Sequence, residues 1–183
     1  MDIRATINNE HSKRMATSIR DYIGDSPELF AELMDVYLNG NHREVQRSAY
    51  ALVHVGEQQV PLLTPYINQM LDKLKNPIHV AVKRNTMKIL ADMKLTLNEE
   101  QFGRAVAFAF DYLEDPKEAI APKAHAMMFL WNACAQEPFF MPELKLLLEE
   151  NIRYGSVGIK ARARKIIIKI DKKMKQLGMD ELD

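Results

Sequence analysis

The 183-residue sequence predicts an all-α fold built from repeated helix pairs. Three observations carry this. Apolar residues recur at spacings of three and four along almost the whole chain, the period of a helix with one buried face. Glycine is scarce, at seven residues, and the apolar/polar alternation of strands is nearly absent. Four octets also repeat one pattern: "VQRSAYAL" from Val45, "VKRNTMKI" from Val82, "IAPKAHAM" from Ile120 and "IKARARKI" from Ile159. Their spacings are 37, 38 and 39 residues, and a fixed period of that length marks a repeat architecture.

The elements follow from start and stop signals, taken in order. A helix at about 10–23 stands alone at the N-terminus. Ser26-Pro27-Glu28 supplies a cap, a first-turn proline and an early acid, so a helix follows at about 27–38. Further helices are expected at about 42–55, 61–75 and 78–93. Asn98 with Gln101 three residues later resembles a capping box for a helix at about 99–114. Asp115-Pro116 repeats the cap-plus-proline signature for about 117–135. Pro142-Glu143 opens about 142–153, and the last helix runs over about 157–177. Every connection is short, so neighbouring helices run antiparallel. The chain reads as one domain, 1–183, with repeats at 27–56, 57–95, 96–137 and 138–177.

Each octet starts on a β-branched residue, carries a small one at +4 (Ala49, Thr86, Ala124, Ala163) and an apolar one at +7. Positions 0, +4 and +7 share one helix face, and the small residue admits a close neighbour. Ala49, Ala124 and Ala163 are therefore expected to be buried at helix contacts.

The octets resemble the second helix of a HEAT repeat, whose pattern is roughly Asp-Pro-x-x-x-Val-Arg-x-x-Ala. "DPKEAI" from Asp115 and "NPIHVAVKR" from Asn76 carry the entry signal, the second with one extra residue. The first and fourth repeats, "NHREV" and "YGSVGI", lack the proline. The tail "MPELKLLLEENIRYGSVGIKARARKI" is similar to short bacterial HEAT-like proteins of uncharacterised role. Some of those carry an adenylosuccinate lyase label, yet the "SSxMPxKxN" loop motif of that superfamily is absent here. The resemblance covers about residues 27–175. It implies a right-handed α-α superhelix, a solenoid of about four HEAT-like helix pairs plus the N-terminal helix, with second helices on the concave side.

Charge then separates by element. The net charge is zero, from 25 basic and 25 acidic residues. The second-helix segments 41–56, 77–94, 116–137 and 155–178 together carry +11, and the first-helix segments 24–40, 57–76, 95–115 and 138–154 carry −9. Such an asymmetry steers an acidic ligand. If 0, +4 and +7 face inward, then +2, +5, +6 and +9 face the groove. That selects Arg47, Tyr50 and His54, then Arg84, Met87 and Lys88, then His125 and Phe129, and finally Arg164 and Lys165 beside Ile168. Exposed aromatic and apolar side chains in register with cations mark a contact surface.

Chemistry is conspicuous by its missing patterns. The five histidines form no H-x₃-H or H-E-x-x-H pair, so no metal is expected. No phosphate loop or G-x-S-x-G motif is present, so no cofactor and no small-molecule substrate are expected. The one cysteine, Cys134, forms no internal disulfide and reads as a buried thiol. The only tryptophan, Trp131, lies eleven residues past Ile120 and is expected inward. No apolar run approaches the roughly 18–20 residues of a membrane span, and no secretory signal opens the sequence. The location expected from this is cytoplasmic.

The function expected is a non-enzymatic scaffold that binds an acidic or amphipathic protein segment along a basic concave groove. The alternative is binding of a nucleic-acid backbone on the same face. HEAT-like repeats also build alkylpurine DNA glycosylases, but these need exposed tryptophans and a groove-facing Asp that the register does not supply.

Overall fold

Helix boundaries are set by side chains that satisfy the free N–H groups of each first turn. The structure, a computed structural model, describes residues 1–179. Its helices are α1 (Ile3–Asn9), α2 (Lys13–Ile23), α3 (Pro27–Asn39), α4 (His42–Gly56), α5 (Val60–Leu63), α6 (Ile67–Lys75), α7 (Val80–Asp92), α8 (Glu99–Glu114), α9 (Ile120–Ala133), α10 (Met141–Tyr154) and α11 (Val157–Gln176). No strand occurs among the described residues. Ser12, Ser26 and Ser156 cap α2, α3 and α11, each accepting from the backbone three residues on. Asn41 and Glu44 form a full capping box on α4. The box expected at Asn98 and Gln101 is present, with reciprocal bonds of 2.8 and 3.1 Å. The acidic end, Asp180, Glu181 and Asp183, lies outside the described residues.

Two compact units make up the chain, residues 1–105 and residues 106 onward, with α8 passing from one into the other. In the first unit α1 packs on α3 and α3 on α6, while α2 packs on α4 and α4 on α7. First helices thus stack on first helices, and second on second. By this pattern α1 and α2 form a helix pair of their own, where the sequence suggested a lone helix at 10–23. In the second unit α9 packs on α11, and α10 packs on both. The first and second octets are therefore neighbours, as are the third and fourth.

Val45, Ala49 and Leu52, Val82, Thr86 and Ile89, and Ile159, Ala163 and Ile166 are all buried, as their spacing required. Each buried Val, Leu or Ile side chain contributes about 1.5–3 kcal/mol. Tyr37 of α3 reaches Thr86 of α7, hydroxyl to hydroxyl at 3.1 Å, so a buried polar bond fixes one pair against the next.

The third octet departs from this register. Ile120 is exposed and Ala124 only half-buried, while Pro122, Ala126, Phe129 and Ala133 face the core. The cause is Pro122. A proline is tolerated in the first turn but not in a helix interior, where it lacks the N–H and clashes with the preceding turn. The helix therefore starts at Ile120 rather than 117, and Asp115 instead closes a turn onto the Lys117 N–H at 2.8 Å. Ile120 is the first residue of its helix, whereas Val82 and Ile159 are third in theirs. Pro65 acts similarly on the segment expected as one helix at 61–75, dividing it into α5, a 3-10 turn at Thr64–Tyr66, and α6.

Candidate functional site

In the first unit α4 and α7 run parallel. The His42 and His79 rings meet at their N-terminal ends, 4.6 Å apart, and Glu57 and Lys88 meet towards the other end at 3.7 Å. Neighbours cover α4 on most sides beyond its exposed first turn, and a narrow stripe at Gln46, Tyr50 and His54 remains half-open there, one turn apart. Tyr50 is held edge-on by His11, at 5.8 Å, and by His54, at 4.9 Å. Arg84 and Lys88 lie half-buried on α7, again one turn apart.

Two residues expected in this stripe are elsewhere. Arg47 is buried, and its Nη1 donates to the carbonyls of Ile7 and Asn8 at 2.7 and 3.0 Å. These are among the last carbonyls of α1, which have no partner within their own helix. Arg47 is thus the C-terminal cap of a helix that the sequence pattern did not reveal. Met87 is fully buried because α7, packed on α4 and α6, buries a wider arc than one apolar stripe.

The charge of this half is largely compensated. Lys88 donates to Asp92 at 2.7 Å and lies near Glu57; the hydrogen bond to Asp92 leads in holding its ammonium above the ordinary range. His54 Nδ1 lies 3.1 Å from Glu57 as well. Arg84 Nε donates to the Asn85 side-chain oxygen at 3.2 Å. Burial first, then neighbouring positive groups including Arg84, keeps His11 and His79 below the usual imidazole range.

The second unit differs. His125 is half-buried on α9, and Phe129 is buried in the core by the register shift that Pro122 imposes. Arg164 and Lys165 are exposed on α11, as expected. Around them Arg162, Lys169 and Lys172 are also exposed, and the one acid of the helix, Asp171, is engaged by Lys145 of α10 at 2.7 Å. Trp131, expected in the core, is half-buried with the Lys169 ammonium 5.7 Å from its ring centroid. The sequence register passed over Met128, Arg162 and Lys169. Their signal was the spacing of 162, 165 and 169 along one stripe of the last helix, which amphipathicity alone also explains.

Among the described residues no group of three His, Cys, Asp or Glu side chains could hold a metal ion. Cys134 is buried, and burial pushes its thiol up to about 11. No helix of the described residues is long and apolar enough to cross a membrane.

A family profile for the HEAT repeat domain matches residues 3–170, from the first residue of α1 almost to the end of α11. The chain belongs to the HEAT-repeat family. Its all-α, HEAT-like architecture agrees with the stacking of like helices within each unit. No curated protein matches the chain, and no solved structure does. HEAT repeats generally serve as protein-interaction scaffolds and are typically non-enzymatic, which gives this chain its broad class.

Proposed function

We propose that this HEAT-repeat protein is a non-enzymatic scaffold whose second helices bind an acidic, amphipathic segment of a partner protein. The observation that carries the reading is the exposed face of α11. Arg162, Arg164, Lys165, Lys169 and Lys172 stand there, while its single acid is engaged by Lys145. Exposed cations of one sign raise the local concentration of an acidic partner and its association rate. His125 is half-buried on α9, which packs on α11. In the first unit Tyr50, His54, Arg84 and Lys88 offer a second, weaker surface, because Glu57 and Asp92 already occupy Lys88.

Affinity capture from native lysate, with and without nuclease, tests the reading. A protein that stays bound after nuclease treatment and is released by salt supports it. Capture that nuclease abolishes points to a nucleic-acid backbone instead.

A further inference from the structure

A groove of about 300 Å³ lies along α9 and α11, at the lower end of ligand-sized sites. Buried Ile166 and half-buried Met128 give it an apolar lining. Arg162, Lys165 and Lys169 line it too, and no carboxylate does. Gly158, also in the lining, leaves it open: a Cβ added there meets no atom within 4 Å. On the helix period these α11 residues form one stripe. Trp131 lies one turn beyond Met128, beneath the Lys169 ammonium.

We infer that this groove seats an acidic amphipathic helix, with one of its apolar side chains between Met128 and Ile166 and its carboxylates on Arg162, Lys165 and Lys169. The inference rests on the acidic-scaffold reading and gives it a location. The chemistry of the lining selects among the recurring modes of peptide recognition. Strand addition needs an exposed sheet edge, and the described residues contain no strand. Proline-rich segments dock into aromatic-lined grooves, and no aromatic residue lines this one. A helix with acids three and four residues either side of a leucine presents both chemistries on one face. Stacked bases need a free aromatic platform, and Lys169 covers the ring of Trp131.

The only tryptophan of the chain reports on the site. Three probes are titrated against the full chain while Trp131 emission is followed. These are a synthetic helical peptide with a leucine stripe flanked by glutamates, the same peptide with glutamines, and single-stranded oligothymidine. The glutamate peptide is expected to change the emission saturably, and the glutamine peptide to bind at least roughly tenfold more weakly. Gly158→Leu projects a side chain into open space and raises helix propensity, so it keeps the fold while obstructing the groove. It is expected to weaken the glutamate peptide by a similar factor without lowering the melting temperature. Equal binding to Gly158→Leu and wild type overturns the groove but leaves the acidic-scaffold reading standing. Failure of the glutamate peptide to bind overturns both. So does a saturable response to oligothymidine alone.

Discussion

Arg47 donates a hydrogen bond to the carbonyl of Ile7 across 2.7 Å, joining α4 to the end of α1. The same guanidinium nitrogen also reaches the carbonyl of Asn8. A residue that the charge pattern assigned to a binding groove is therefore a structural clasp. Arg47→Met keeps much of the apolar stem and removes these charged bonds, leaving two carbonyls short of donors. The expected cost is about 2 kcal/mol, read from denaturant midpoints. Hydrogen exchange should accelerate first in residues 3–9, and ligand binding by the folded variant should not change.

Burial pushes the Tyr37 phenol up to about 12 from an ordinary 10, against a smaller opposing effect of its bond to Thr86. The unfolded chain ionises this phenol first. The stability it contributes is complete below pH 10 and is lost as pH rises towards about 12. An ultraviolet titration should show a late tyrosine ionisation step. Tyr37→Phe should remove that late step, flatten the alkaline loss of stability and cost about 1 kcal/mol at neutral pH.

The register of α9 separates two alanines only two residues apart. Ala126 is fully buried and Ala124 half-buried. Ala126→Leu should overpack the core and cost about 1–3 kcal/mol. Ala124→Leu should cost clearly less, by thermal or chemical unfolding. A reversed order would restore the register that the octet alignment suggests.

Much of the fold was legible because three octets start within the first four residues of their helices and lie buried, so Val45, Val82 and Ile159 mark the core directly. The third octet, from Ile120, failed on Pro122, whose first-turn preference competes with the Asp115-Pro116 start signal and wins. Helix α1 was illegible for a different reason. Its seven residues offer only Ile3 and Ile7 as an apolar pattern, and so short a helix forms through packing rather than propensity. The candidate surface was less legible still. Asp92 engages Lys88 from four residues on along the same helix, but Glu57 reaches Lys88 only through the parallel packing of α4 and α7. Nor could spacing show that Lys169 covers Trp131, since that contact joins two helices.

In the proposed function the open cations of α11, rather than the compensated ones of α7, hold an acidic protein partner. The most direct measurement compares Arg164→Gln/Lys165→Gln with Lys88→Gln, each titrated with the captured partner across a range of salt. The double variant should bind at least roughly tenfold more weakly at low salt and show a flatter salt dependence. Lys88→Gln should stay close to wild type, because Glu57 and Asp92 already engage that ammonium. Equal losses from both variants, or a loss confined to Lys88→Gln, would contradict the account.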